Sequence, residues 1–391
     1  MNRSLLLLAI CQGLFLTNNT VFIAINGLVG LSLAPVGWMA TLPVMGYVVG
    51  GALSTGLVAR TQALYGRRRS FQIGLVVALL SALLCAYAAW SHSFVLLISA
   101  TLVAGYYSAN GQLYRFAAAE LGPIASREKS VSWVLAGGLI GAVMGPNLAR
   151  YTRTLLDVPF VGAYLSLCLV ALLGLALISA IKFPPVPAPV PGASTGRTVW
   201  QLMGEPVFLV AMAGAALGYG VMNLLMAATP LAMQVCSLPF SDTAFVLEWH
   251  VIGMFAPGFF TGHLIRRFGV LQIMGVGVLL NAACVGIALL GVELQHFTIA
   301  LFVLGVGWNF LFTGATTLAM QAYRPEEKDR AQAAINFGVF AVMAMSSFAS
   351  GALVTSRGWT QLNMGSMLPI ALTGLALAWL ARHPRSGLRK A

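Results

Sequence analysis

Apolar stretches long enough to cross a bilayer recur from one end of the 391-residue chain to the other. A hydrocarbon core about 30 Å thick is crossed by roughly 20 residues of helix. Twelve such runs can be marked: 5–30, 38–59, 71–90, 94–120, 130–150, 159–181, 206–236, 243–264, 270–290, 297–322, 332–355 and 362–381. Only 8% of residues are charged and 59% are hydrophobic, whereas a soluble domain carries roughly 25% charge. Helix-period patterns of this length exclude an outer-membrane barrel, whose strands are segments of about 10 alternating residues. The expectation is an all-α polytopic membrane protein with both faces of its spans in lipid or against one another.

The formal net charge of +12 could suggest a nucleic-acid partner. The Lys and Arg residues instead stand singly or in short clusters between apolar runs, as topology signals do. With the N-terminus inside, most of them fall on the cytoplasmic side, for example Arg67, Arg68 and Arg69, Arg266 and Arg267, and Arg324. Both termini are therefore expected in the cytoplasm, in an inner (plasma) membrane. The opening MNRSLLLLAIC imitates a signal peptide, but its apolar run continues to Leu31, so it reads as a retained span. The five cysteines form no C-x-x-C pair and indicate neither zinc nor a disulfide framework. No serine, histidine and carboxylate cluster as in a hydrolase, and no phosphate loop precedes a helix. The chain is expected to be a non-enzyme without a resident cofactor, working as a monomer on a small solute or a metal ion.

A proline-rich segment, KFPPVPAPVPGASTGR from Lys182, stands at the midpoint and favours extended backbone. It divides the chain into residues 1–181, a linker 182–205, and residues 206–391. The halves echo one another: Gly56-Leu57-Val58-Ala59-Arg60 returns as Gly262-His263-Leu264-Ile265-Arg266, and Arg127-Glu128-Lys129 is answered by Glu326 to Arg330. Parallel repeats related by an axis along the membrane normal are one signature of transporters.

Two four-residue steps flank the break near Leu238: Met222-x-x-x-Met226 and His250-x-x-x-Met254. Residues i and i+4 share a helix face. An antiparallel hairpin centred on Leu238 would bring Met226 level with His250, and Met222 level with Met254. Thioethers and imidazole suit Cu(I) as a transported substrate; methionine equally fills irregular gaps between helices.

His250 is the one histidine placed well inside a span, and an intramembrane ionisable group is a functional candidate by default. Packing by an internally bonded histidine is the alternative. Glu248 could carry a coupling proton or lie solvated at the outer mouth. Arg115, within the fourth span, could pair with Glu120, meet an anionic group on a solute, or snorkel toward the cytoplasm. Asn18, in the Thr17–Thr20 group of the first span, and Asn309 in the tenth either line a cavity or glue helices together. Trp38, Tyr47, Tyr106, Tyr107, Tyr114, Trp249 and Trp308 could stack on a flat ring, or serve interfaces and packing.

Over nearly its whole length the chain resembles the major facilitator superfamily. The resemblance rests on the glycine-to-basic loops at Gly56–Arg69 and Gly262–Gly269 and on Gly141-x-x-x-Gly145-Pro146. It departs where Arg60 and Arg266 replace an expected acid, and where Asn147 and Leu148 replace expected glycines. The resemblance implies twelve transmembrane helices in two six-helix bundles related by a pseudo-twofold axis. VMNLLMAATPLAM, EWHVIGMFAPGFFTGHL and Tyr114–Ala119 are similar to the CcoA-like branch. That implies copper import by alternating access, supplying cytochrome oxidase assembly, with Met222, Met226, His250 and Met254 as ligands. The same branch includes riboflavin-importer-like members, so import of riboflavin or another flat solute is the alternative. The Gly-Pro motif points more faintly to export of an organic solute.

Overall fold

The computed structural model describes residues 3–121, 127–184, 196–324 and 327–382. Most of the linker, the end of the tail with His383, and Glu326 lie outside the described residues. The described elements are helical throughout, with no strand among them. In chain order they are α1 (Arg3–Leu33), α2 (Leu42–Trp90), α3 (Phe94–Gly111), α4 (Tyr114–Leu121), α5 (Arg127–Ala136), α6 (Gly138–Thr152) and α7 (Val161–Ala180). After the linker come α8 (Val199–Met203), α9 (Pro206–Val235), α10 (Phe240–Phe255), α11 (Gly258–Phe268), α12 (Val270–Leu290), α13 (Leu294–Met320) and α14 (Lys328–Arg382).

Nine helices among the described residues are long and apolar enough to cross a membrane, and α10 with α11, bent by 42°, makes a tenth. The long α14 turns back at Gly358, where φ is 80°, and so crosses twice. The pair α5 and α6, interrupted at Gly137, supplies the remaining span. The described helices thus cover all twelve apolar runs. The opening segment is part of α1, a 31-residue helix buried along most of its length.

Single glycines turn the short corners. Gly66 (φ 75°) folds α2 back on itself, and Gly269 (φ 92°) joins α11 to α12. Both sit in left-handed backbone, which a Cβ disfavours. A close backbone contact recurs in both halves. A Cβ on Gly105 would lie 2.3 Å from the Gly50 carbonyl carbon, and one on Gly305 would lie 2.5 Å from the His250 carbonyl oxygen, beside Gly253. Backbones meet this closely only where no side chain intervenes. Gly50 and Gly253, like Gly66 and Gly269, are 203 positions apart. The GLVAR and GHLIR echoes are 206 apart, so that echo is about one helical turn out of step with the structural repeat.

One side of the molecule carries the described chain ends, Arg3 and Arg382, and is called the termini side; the other is called the far side below. The halves meet closely on the far side. Thr41 donates from Oγ1 to the Ser347 carbonyl at 2.6 Å and accepts from the Gly351 N–H at 3.0 Å. Trp38 packs edge-on against Phe348, and Phe160 against Phe240. The Arg153 guanidinium lies 4.9 Å above the Phe240 ring. Arg153, Phe160 and Phe240 border a far-side cleft of about 540 Å³ that Ser32 and His92 also line. On the termini side, Gly56 and Gly262 face open space. There too, buried Glu327 accepts from Arg197 at 2.8 Å through both carboxylate oxygens and from the Arg324 N–H at 2.9 Å, fixing the end of the linker to the α13–α14 connection.

Candidate functional site

The organising stretch folds as a hairpin: α9 ends at Val235, Ser237 takes a positive φ of 59°, and α10 begins at Phe240. The chain neighbours α9 and α10 nevertheless touch only briefly. α10 packs mainly against α13 of its own half and α6 of the other. Met222, Met226 and Met254 are buried in one apolar cluster with Leu301, Leu304 and Trp308, so these sulfurs face protein rather than lipid. His250 is fully buried, and its Nδ1 lies 2.6 Å from the Leu301 carbonyl. That carbonyl only accepts, so Nδ1 carries the proton and the lone pair is on Nε2. Nε2 is buried without a hydrogen-bond partner. Among the described residues no three His, Cys, Asp or Glu side chains converge as a metal cluster, and the five cysteines are free. Any soft-cation site would rest on the thioethers and His250.

Glu248 is half-buried. Its Oε2 accepts from Asn147 Nδ2 at 2.9 Å, a bond from α10 to α6 across the two halves. Asn147 is one of the positions where the Gly-Pro motif departs from its family pattern, and this bond gives the departure a structural use.

The Glu120 carboxylate is held by Arg67 through Nε and Nη2 at 3.1 and 2.6 Å. Arg115 lies within electrostatic reach of Tyr219 in the opposite half. Asn18 is buried, and the Tyr47 hydroxyl is within hydrogen-bonding reach of it and of Ser108 while donating to Asn19 Oδ1. Tyr47 in turn approaches Tyr219.

Asn309 mends a broken helix. Pro257 has no N–H, so the hydrogen-bond ladder is interrupted between α10 and α11. Asn309 Nδ2 donates to the Met254 carbonyl at 2.7 Å, and its Oδ1 accepts from Thr261 Oγ1 at 2.7 Å. Asn309 thus joins α13 to α10 and α11.

At the same level is an aromatic wall that the sequence reading only partly named. Trp308 stacks on Phe312 with ring centroids 5.1 Å apart and planes 10° from parallel. Tyr219 stands edge-on to both rings, 5.3 and 5.4 Å away, and Phe255 packs on Trp308 at 6.0 Å. Phe255 also reaches the other half, lying 3.8 Å from the position of a Cβ on Gly138. The wall therefore spans α9, α10 and α13, and its Tyr219 lies within electrostatic reach of Tyr47 and Arg115. Tyr219, Phe255 and Phe312 were not picked out from sequence. Their spacing is that of ordinary core residues, and only tertiary packing unites them. Of the other aromatic candidates, Tyr107 and Tyr114 pack on Phe15 within the N-terminal half, and Trp249 is exposed.

Residues 5–290 and 243–391 match the Major Facilitator Superfamily. The chain belongs to that superfamily. It is 35% identical over 392 residues to the riboflavin transporter RfnT of Brucella anthropi, covering 100% of this chain and 98% of that protein. It is 27% identical to YddS of Bacillus subtilis, an uncharacterized MFS-type transporter, across 88% of this chain and 83% of that one. A bacterial homologue of the lysosomal transporter Spinster, in an inward-facing and occupied conformation, superposes with a TM-score of 0.70 at 16% identity over 97% of this chain and 96% of that one. An auto-inhibited peptide transporter of the POT family gives 0.73 at 10% identity over 100% and 99%. These structural likenesses establish the shared fold. The chain is a multi-span membrane protein of a transporter superfamily.

Proposed function

We propose that this transporter imports riboflavin, or a closely similar flat aromatic solute, across the bacterial plasma membrane by alternating access. The observation that carries the reading is the wall of Tyr219, Trp308, Phe312 and Phe255 at the meeting of the two halves. Aromatic faces stack on planar heterocycles for about 1–3 kcal/mol per ring. Full-length similarity to a riboflavin transporter supports the same cargo. On the opposite side, Tyr47 with Asn18 and Asn19, and Arg115, supply polar groups suited to the rim of such a ring. The basic termini-side loops put the termini in the cytoplasm, and the halves 1–181 and 206–391 rock about the site.

Copper is the second reading. It is favoured by the bare Nε2 of His250 and by three buried methionines in one apolar cluster. Parallel uptake of labelled riboflavin and radioactive copper, in cells lacking their own importers, separates the two. The expected result is riboflavin uptake reduced at least tenfold by Tyr219→Leu and unaffected by Met226→Ala. Copper uptake lost on Met226→Ala or His250→Ala, with no flavin uptake, would reverse the assignment.

A further inference from the structure

The Trp308 indole is 6% exposed, and its Nε1 is buried without a hydrogen-bond partner. Leaving such a donor unpaired is costly, and most buried polar groups avoid it. Its ring neighbours Phe312, Tyr219 and Phe255 are packed against it as ring contacts, and none of them supplies Nε1 with an accepting atom. A phenylalanine would fill this wall with no such cost. Phe255 reaches the N-terminal half at Gly138, and Tyr219 lies within electrostatic reach of Tyr47 and Arg115 there, so the indole belongs to the surface across which the halves part.

The geometry points to Trp308 Nε1–H as a specificity-determining donor that reads one acceptor, a ring nitrogen or ring carbonyl, on the transported heterocycle. This rests on the riboflavin reading above. Stacking alone accepts any planar ring, because every such ring has a π face. A single buried donor makes a planar solute lacking the matching acceptor pay for an unpaired N–H, which separates close analogues on the order of tenfold. The wall therefore selects for shape, and the indole selects for one atom.

The test is uptake of riboflavin and of its 1-deaza, 5-deaza, 2-thio and 4-thio analogues, each weakened at one ring acceptor. It is run with the wild-type protein, with Trp308→Phe, and with Trp308 replaced by benzothienylalanine, which keeps the ring shape and substitutes sulfur for the N–H. The expected result is that the wild type disfavours one analogue by about tenfold and that both replacements abolish that preference while still transporting riboflavin. If Trp308→Phe fails to fold, the isosteric replacement decides. An unchanged analogue ranking with the isostere overturns the inference and leaves the riboflavin reading standing, since the N–H is then spent on a neighbouring ring. Absence of riboflavin uptake by the wild type overturns the riboflavin reading and the inference together.

Discussion

Asn147 donates from its side-chain amide to Glu248 Oε2 at 2.9 Å, and this bond joins the two halves of the transporter through α6 and α10. Asn147→Leu removes the hydrogen-bond partner of a half-buried carboxylate, and such a loss costs more than the bond itself contributed. Uptake is expected to fall at least fivefold in Asn147→Leu and to recover partly in the Asn147→Leu, Glu248→Gln double variant. A double-mutant cycle on transport rate measures the coupling. Additive effects would show that the two side chains act separately.

The Arg153 guanidinium over Phe240 ties the same halves at the far-side cleft. A cation–π contact contributes about 0.5–2 kcal/mol, so Phe240→Leu should make far-side opening several-fold more frequent. The readout is the labelling rate of a cysteine at Ser32, which lines the cleft, by a membrane-impermeant maleimide, with partly exposed Cys236 first changed to Ser. Unaltered labelling would assign the closure to Thr41 and its partners instead.

Glu327, outside the spans, has its carboxyl held well below the usual range. Arg197 is the chief cause, and the Arg324 N–H adds to it. A depressed folded-state value stabilises the protein above the ordinary carboxylate value of 4.5, and the contribution is lost as pH falls below it toward the folded value. The melting temperature of the purified protein should therefore exceed that of Glu327→Gln by a constant margin above about pH 5.5, and the margin should shrink as the pH drops below 4.5. A margin independent of pH would remove the ionised carboxylate from the account.

Two glycines test two different constraints. Gly269 has open space where a Cβ would go, so Gly269→Ala costs only its left-handed backbone, roughly 1–2 kcal/mol. Gly305→Ala sets a methyl 2.5 Å from the His250 carbonyl oxygen and 2.9 Å from the Met254 amide, in a contact that cannot yield without parting two helices. Thermal unfolding should rank Gly305→Ala as the more damaging, and transport should fail with it but survive Gly269→Ala.

The twelve spans and the division into two repeats could be read from sequence because a bilayer demands long apolar runs whatever their neighbours. The corners at Gly66 and Gly269 were signalled by glycine beside basic residues. What the sequence could not show is which helix stands beside which. Met226 and His250 share a hairpin in the chain, yet α10 lies chiefly against α13 and α6. Glu248 found its partner 101 positions away, and Asn309 proved to be a helix mender, because both depend on rotational settings that only packing decides. Of the aromatic wall only Trp308 was named from sequence, because its four rings come together from three helices.

With bare backbone against backbone at Gly253 and Gly305, α10 and α13 have no side-chain cushion on which to slide. They form one stiff plank, and the Gly50–Gly105 contact makes its counterpart in the other half. When the molecule changes the side it opens to, His250 and Trp308 must travel together on that plank. Their spacing is then the same whichever compartment the solute meets.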